Sequence, residues 1–165
     1  MRIQTERLTL KPVDEGDLDA WADFLGDPDA VRLIHFPEPH DRERARELLD
    51  RTIRRSEGAK SMYCVVVRDT GETVGFVGFS PREMEWGDEL ELGWLLLPRF
   101  HGHGYATEAA RALRSLVPER VISLIRVENT ASINVARKLE MRLDRDIEYV
   151  GFATNVFVSD SALTR

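Results

Sequence analysis

Residues 99–109, RFHGHGYATEA, connect an apolar run to an amphipathic one. The apolar run at 92–97 predicts a strand, which Pro98 ends, and the stripe after Gly104 predicts a helix. Between them, Gly102 and Gly104 predict a loop whose backbone can approach a ligand closely. The first N–H groups of a helix lack internal partners, and the helix dipole there favours an anion. This order of strand, glycine loop and helix predicts a phosphate site.

Two familiar phosphate loops are excluded. A P-loop ends in Gly-Lys-Ser/Thr, which is absent here. The dinucleotide fingerprint needs a third glycine three residues after Gly104, where Thr107 stands. The glycines alone leave an ordinary strand-to-helix turn as the alternative.

The wider string Arg99-x-x-Gly102-x-Gly104 with Tyr-Ala-Thr-Glu-Ala after it resembles the acetyl-coenzyme A motif of the GNAT N-acetyltransferases. It looks most like the RimJ/RimL branch, which includes the ribosomal-protein N-terminal acetyltransferases. In that family the loop amides hold the pyrophosphate of coenzyme A. The resemblance implies these cofactor-binding residues: Leu95, Leu97, Arg99, His101, Gly102, His103, Gly104, Tyr105, Ala106 and Asn129.

Two more motifs extend the resemblance over nearly the whole chain. Residues 5–10, TERLTL, resemble the opening strand of the same branch. Asn129-x-x-Ser132-x-x-Val135-Ala136-x-Lys138-Leu139 resembles the second motif of the family. Asn129 is expected to cap a helix and, by resemblance, to bind the pantetheine arm of coenzyme A.

Length and composition are those of a globular protein with one domain, residues 1–165. The net charge of −6 argues against a general nucleic-acid binder. Apolar runs stay well short of the ~20 residues of a membrane helix, so no membrane partner is expected. The start of the chain lacks a signal-peptide core and Cys64 is the single cysteine, which together favour the cytoplasm. His101-x-His103 has no third ligand near it, so no metal is expected.

The patterns along the chain predict an α/β domain with the element order β-α-α-β-β-β-α-β-α-β-β. This is the order of the GNAT fold, a mixed twisted sheet of about seven strands flanked by about four helices. Residues 81–88 are predicted to be a polar connection. The predicted strands cover 5–13, 62–67, 74–79, 89–97, 121–127, 143–150 and 155–159, and the helices 17–26 (or from a cap at Asp14), 41–57, 104–117 and 129–139.

Transfer of acetyl to an amine needs a base, because an ammonium cannot attack. Glu89 and Glu91 lie two residues apart and so share one face of the predicted strand. Family members often use a glutamate of this strand, and Leu92-Gly93-Trp94 resembles the family pattern beside Glu91. Glu91 is therefore the predicted base, with Glu89 as the alternative and a solvated face as the alternative for both.

The reaction must also stabilise the oxyanion of the tetrahedral intermediate and protonate the leaving thiolate. The resemblance assigns the oxyanion to backbone N–H groups near residues 95–97, freed where this strand separates from the one at 121–127, for example by a bulge. Many family members protonate the thiolate with a tyrosine, but Ala136 stands at that position. A different acid or solvent must then protonate the thiolate. Ser132, by analogy with the branch, and Tyr149 are the candidate acids, with a local backbone hydrogen bond as the alternative role for Ser132 and packing as the alternative for Tyr149.

Two more residues differ from the pattern of the family. His101 stands where an aromatic residue is common, and Glu140 stands where a glycine usually ends the helix of the second motif. Residues 31–40 and 81–88 are expected to flank the acceptor pocket, with Phe36, Trp86 and Trp94 as candidate lining. The sequence does not choose among a protein N-terminus, a polyamine, an amino acid and an antibiotic. Family members are often dimers, so a homodimer is compatible with the resemblance.

The sequence therefore predicts transfer of acetyl from acetyl-coenzyme A to a primary amine, either a protein N-terminus or a small molecule. Ala136 keeps a non-catalytic acyl-coenzyme A binding module as the alternative. A small structural or interaction protein, which uses the glycines only for a turn, is the third hypothesis.

Overall fold

An eight-stranded mixed sheet forms the centre of the computed structural model, which describes residues 1–161. The strands lie in the order β1-β2-β3-β4-β5-β6-β8-β7, and β5 and β6 are the one parallel pair among them. The strands are β1 (Ile3–Gln4), β2 (Leu8–Pro12), β3 (Met62–Val67), β4 (Thr73–Met84), β5 (Gly87–Leu96), β6 (Val121–Arg126), β7 (Arg142–Tyr149) and β8 (Phe152–Ser159).

Helices cover both faces of the sheet. Leu113 of α4 and Leu139 after α5 pack with Leu8 and Leu10 in one buried cluster. Trp21 of α1 and Leu49 of α3 belong to a second cluster. The helices are α1 (Leu18–Gly26), α2 (Pro28–Val31), α3 (Arg42–Arg55), α4 (Tyr105–Arg114) and α5 (Thr130–Lys138), with short 3-10 turns at Glu15–Asp17 and Pro98–Phe100.

The predicted α/β architecture and the GNAT order of elements are confirmed. The eighth strand is β1, which is only two residues long and pairs with β2. Cys64 is 1% exposed, and burial raises the pKa of its thiol to about 11, as expected of a structural cysteine. Within residues 1–161, no helix combines the length and the apolar character needed to cross a membrane.

The predicted polar connection at 81–88 is wrong. β4 continues to Met84 and β5 begins at Gly87, so the two strands form one long hairpin. Pro81 can lie inside β4 because β3 pairs with β4 only as far as Gly78, which leaves this part of β4 with one neighbour. The end of the hairpin lies beyond the core, and its polar residues therefore lack the apolar signature of a strand.

The strands β5 and β6 separate soon after they meet. They pair at Glu91 and Ile122, and Ser123 Oγ donates to Leu92 O at 2.6 Å beside that pair. Among the described residues, Glu91 and Ile122 are the one Cα pair between these strands, and a cavity lined by residues of both strands lies next to that pair. The β4–β5 register is continuous from Gly75 to Met84, so the separation does not depend on a bulge in that ladder.

Candidate active site

The glycine loop presents bare backbone to an open cleft. Gly102 has φ +81° and Gly104 φ +77°, in the left-handed region that favours glycine. Gly104 is the N-cap of α4 and supplies no side chain to cover the helix N-terminus. A Cβ added at Gly102 would meet no atom within 4 Å, so the space in front of the loop is free. The exposed N–H groups and the helix dipole make this end of α4 suitable for an anion.

The loop forms one wall of a cleft of about 590 Å³, which we call the loop cleft. Arg32, His101 and Lys138 line it together with one acidic residue, Asp29. Basic side chains therefore surround the loop although the chain as a whole is acidic. Other lining residues are Trp94, Leu95 and Leu96 of β5, Tyr105, Ala106 and Thr107 of α4, and Asn129, Ser132 and Val135 in or before α5.

Most predicted cofactor-binding residues line the loop cleft, namely Leu95, His101, Gly102, Gly104, Tyr105, Ala106 and Asn129. Leu97 does not, because it is buried and its N–H donates to Val74 O at 3.0 Å in the β4–β5 ladder. That amide is occupied, which corrects the expectation that Leu97 donates to a ligand.

Arg99 and His103 lie beside the loop cleft and are exposed to solvent. The Arg99 guanidinium stacks over the Phe100 ring at 4.7 Å. The His103 ring stacks on Tyr105 at 5.4 Å, and its carbonyl accepts from Arg7 Nη1 at 2.7 Å. Arg7 also lies over the Tyr105 ring at 4.8 Å, so the opening strand contacts the loop directly.

A second cavity of about 210 Å³ occupies the gap between β5 and β6, and we call it the gap pocket. Its walls include Arg82, Glu91, Arg126 and Tyr149. The two cavities adjoin each other, because Leu33, Ile34, Trp94, Leu95, Asn129 and Ser132 line both of them. The loop cleft and the gap pocket therefore lie next to each other along this shared wall.

Glu91 and Glu89 have different environments. The Glu91 side chain is 13% exposed, lines the gap pocket and accepts from Arg82 Nε at 2.5 Å through Oε2. Glu91 Oε1 has no hydrogen-bond partner among residues 1–161. Glu89 lies outside the lining of both cavities and accepts from Trp86 Nε1 at 2.9 Å and Arg120 Nε at 3.1 Å. The arrangement favours Glu91 as the carboxylate that can meet a substrate.

Arg82 and Glu91 form an ion pair in which the carboxylate stabilises the charge of the guanidinium. Burial works against the charge of Arg82, but the Glu91 carboxylate outweighs it and raises the pKa of the guanidinium. Arg82 comes from the segment at 81–88, which was predicted to flank an acceptor pocket.

Ser132 lies on the shared wall in the first turn of α5. Its N–H donates to Asn129 Oδ1 at 3.2 Å, which confirms Asn129 as the helix cap. Its hydroxyl accepts from Trp94 Nε1 at 3.2 Å, which fixes the Oγ at the junction of the cavities. Ala136 is fully buried, and its methyl side chain has no proton to donate. Tyr149 lines the gap pocket and packs edge-on against His35 at 5.0 Å.

His35 is a pocket residue that no sequence motif identifies, although it lies in the predicted flanking segment 31–40. Its Nε2 is 2.8 Å from Thr154 Oγ1, and that hydroxyl donates to Phe152 O at 2.9 Å. The hydroxyl proton is thus used elsewhere, and Nε2 carries the hydrogen of the His35–Thr154 bond. Burial and the positive charges of Arg126 and Arg82 lower the pKa of His35 to about 4. The ring is therefore neutral at pH 7.

Arg126 holds the wall of the gap pocket in place. Its side chain is 9% exposed, and Nη1 donates to the carbonyls of Arg32 and Ile34 at 3.2 Å. Its guanidinium lies 3.9 Å over the Phe152 ring. The signal in the sequence was an arginine at the end of an otherwise apolar central strand, where a charge needs partners.

Of the predicted aromatic lining, Phe36 and Trp94 border the gap pocket and Trp86 does not. The Trp86 ring instead lies under Arg145 at 4.2 Å. Across residues 1–161, no three His, Cys, Asp or Glu side chains are grouped closely enough to hold a metal ion.

Comparison with known proteins agrees with this geometry. Residues 7–142 match the profile of a family described as acetyltransferase (GNAT) domain. The chain is 29% identical over 155 residues to p20 of Bacillus licheniformis, an uncharacterized N-acetyltransferase, covering 88% of this chain and 86% of that one.

Solved structures share the fold. An acetyltransferase from Agrobacterium tumefaciens str. C58 superposes with a TM-score of 0.80 at 26% identity, covering 98% of this chain and 95% of that one. A RimL ribosomal L7/L12 α-N-protein acetyltransferase in complex with coenzyme A has a TM-score of 0.81 at 19% identity, covering 98% and 99%. At that identity the likeness to RimL concerns the fold alone.

Proposed function

The chain belongs to the GNAT acetyltransferase family, and we propose that it transfers an acetyl group from acetyl-coenzyme A to a primary amine. The observation that carries the proposal is the meeting of two cavities at one wall. One cavity has the glycine loop and the N-terminus of α4, which suit a pyrophosphate. The other holds a carboxylate with a free oxygen, which suits an amine.

The residues of the loop cleft fit acetyl-coenzyme A, the acyl donor of this family. The N–H groups at the start of α4 and the open space at Gly102 would accommodate the pyrophosphate. Arg32 and Lys138 would add positive charge, and Asn129 would face the pantetheine arm. The volume of about 590 Å³ is within the range of small-molecule sites.

Glu91 is the proposed base. Its Oε1 would take a proton from the ammonium of an acceptor in the gap pocket, and Arg82 would keep the carboxylate in position through Oε2. The neutral nitrogen then attacks the thioester carbonyl and forms the C–N bond in a tetrahedral intermediate. The C–S bond breaks as this intermediate collapses, and the remaining extra proton on the nitrogen replaces the proton that the leaving sulfur receives. Ser132, fixed by Trp94 at the shared wall, is the proposed source of the proton for the leaving sulfur, with Tyr149 as the alternative.

The RimJ/RimL likeness supports a protein N-terminus as one acceptor and the family as a whole supports small amines. The buried Ala136 is the observation that favours the second candidate, an acyl-coenzyme A binding module without turnover. The two candidates share the loop cleft and differ only in what happens at the gap pocket.

A screen with isotopically labelled acetyl-coenzyme A tests the proposal. Peptides and small amines are incubated with the protein, and mass spectrometry detects label on the amine while a thiol reagent measures free coenzyme A. We expect equal amounts of labelled amine and thiol. Stabilisation of the fold by coenzyme A without label on any amine would favour the binding module. If coenzyme A does not stabilise the fold, the glycines serve only to form a turn and the third hypothesis, a structural or interaction protein, is favoured.

A further inference from the structure

Arg82 and Glu91 both line the gap pocket, and each has hydrogen-bonding atoms that their mutual bond does not use. Arg82 uses Nε for Glu91, and neither of its Nη atoms has a hydrogen-bond partner among residues 1–161. Glu91 uses Oε2 and leaves Oε1 free. The bonded atoms, Arg82 Nε and Glu91 Oε2, are 2.5 Å apart, and both residues line the gap pocket. Such a pair is complementary to a molecule with a cation and an anion close together.

The remaining charges in the gap pocket favour an anion on the ligand. Among the described residues Glu91 is the one acidic side chain in the lining, against Arg82 and Arg126. The partner of Arg126 is Glu128, 3.3 Å away and 65% exposed at the surface. Burial, and after it the positive charges of Arg126 and Arg82, lower the pKa of His35, so this ring adds no positive charge to the wall at pH 7. The lining itself thus carries two positive charges and one negative charge, and each arginine has one carboxylate partner, Glu91 for Arg82 and Glu128 for Arg126.

The size of the gap pocket limits the group that enters it. About 210 Å³ corresponds to roughly seven water molecules at ~30 Å³ each. A compact head group fits this volume.

From these three features we propose that the acceptor is a primary amine with a carboxylate one or two carbons from its nitrogen, as in a free amino acid. This inference rests on the proposed acetyltransferase function and names the acceptor class of the same site. The amine would meet Glu91 Oε1, and the carboxylate would accept from the Nη atoms of Arg82. A bidentate guanidinium–carboxylate contact would fix the nitrogen towards the shared wall.

The same chemistry disfavours two other amines. A polyamine would bring further positive charges against Arg82 and Arg126. A peptide N-terminus with a neutral side chain has an amide where the amino acid has its carboxylate, so the Nη atoms of Arg82 would have no anion from the ligand. A peptide whose first residue is acidic retains a carboxylate, although further from the nitrogen.

Matched acceptor pairs test the inference with the full-length protein. Alanine, methionine and glutamate are each compared with the corresponding carboxamide, and spermidine and peptides starting with Ala or Glu are included. The readout is kcat/KM for label transfer from acetyl-coenzyme A. We expect the free acids to exceed the carboxamides by about tenfold or more, since a carboxamide cannot make the charge-assisted hydrogen bonds to the Nη atoms of Arg82. The two peptide arms distinguish an acidic peptide from a free amino acid.

If the inference is right, the preference for free acids over carboxamides depends on Arg82. In R82Q the absolute rate falls for all acceptors because Glu91 loses its partner, so the informative quantity is the acid-to-amide ratio. We expect that ratio to approach one. Arg120→Gln is the matched control, since Arg120 pairs with Glu89 outside both cavities, and its ratio should equal that of the wild type.

Carboxamides or spermidine acetylated as well as the free acids would overturn this inference and leave the acetyltransferase function standing. An R82Q ratio equal to the wild-type ratio would remove Arg82 from recognition and overturn it as well. Absence of label on every acceptor, with coenzyme A still bound, would overturn the inference together with the function.

Discussion

Arg7 and Glu108 join the opening strand to the helix that follows the glycine loop. Arg7 Nε donates to Glu108 Oε2 at 2.6 Å, and the Arg7 backbone N–H donates to Oε1 at 2.9 Å. Thr5 Oγ1 donates to the same Oε1 at 2.6 Å. Burial opposes the charge of Glu108, but these hydrogen bonds prevail and lower the pKa of its carboxyl. Two distant motifs of the sequence therefore form one unit behind the loop.

Removal of the Arg7 side chain should weaken coenzyme A binding, because Arg7 also holds the carbonyl of His103. We expect Arg7→Ala to raise the Kd of coenzyme A about tenfold in calorimetry, about 1.4 kcal/mol. Arg7→Lys should be intermediate, since an ammonium cannot make the same forked contacts. Arg42→Ala removes an exposed ion pair with Asp19 and serves as the control. Wild-type affinity in Arg7→Ala would show that the loop needs no support from this strand.

The glycine at position 102 should matter for the ligand more than for the fold. Gly102 and Gly71 have φ of +81° and +75°, and an added Cβ would meet nothing within 4 Å at either one. Alanine at each should cost about 1 kcal/mol of folding free energy, since both positions are left-handed. Coenzyme A affinity should fall in Gly102→Ala, fall further in Gly102→Asp, and stay unchanged in Gly71→Ala. Equal affinities in all the variants would mean that the pyrophosphate lies elsewhere.

Glu140 occupies a position that a glycine would fill better. Its φ is +60°, and the bonds from Glu140 N to Arg137 O at 2.9 Å and from Met141 N to Ala136 O at 3.0 Å form a Schellman motif at the end of α5. We expect Glu140→Gly to stabilise the fold by about 0.5–1 kcal/mol, measured as a rise in Tm. Glu140→Ala keeps the left-handed strain but removes the charge, and it should gain less. An alanine variant as stable as the glycine variant would assign the effect to charge.

The buried His35 should make the fold sensitive to mild acid. Its folded pKa of about 4 lies below the ordinary value of 6.5, so between these values the unfolded chain binds more protons. Stability is thus lost as the pH falls from 6.5 towards 4. Urea unfolding at pH 7 and pH 5 should show a larger loss in the wild type than in His35→Gln, on the order of 1 kcal/mol given the partial exposure of the ring. Equal losses would show that His35 does not titrate with folding.

Local patterns predicted the parts of the site that follow one another in the chain. The strand, loop and helix around Gly102 and Gly104, and the cap at Asn129, depend on residues within a few positions of each other. The resemblance of the same motifs to the GNAT family then indicated coenzyme A as the ligand of the loop. Pro81 misled the prediction, because its effect on a strand depends on whether a neighbour pairs there, which is a property of the sheet.

Contacts across the fold could not be predicted in this way. His35 meets Thr154, and Arg126 meets the carbonyls of Arg32 and Ile34, at separations of about a hundred residues. The resemblance beside Leu92-Gly93-Trp94 preferred Glu91 over Glu89, but the gap pocket, which Glu91 lines and Glu89 does not, forms only in the folded sheet. Their spacing in the sequence made the two carboxylates equivalent, whereas the sheet opens beside only one of them.

The rate of label transfer in Glu91→Gln and Glu89→Gln tests the central claim most directly. With an amine identified in the acetylation screen, the account predicts that Glu91→Gln lowers kcat about 100-fold or more while the Kd of coenzyme A is unchanged. Glu89→Gln should remain within a few-fold of the wild type. Wild-type turnover in Glu91→Gln, or a comparable loss in both variants, would contradict the assignment of the gap pocket as the place where the amine is activated.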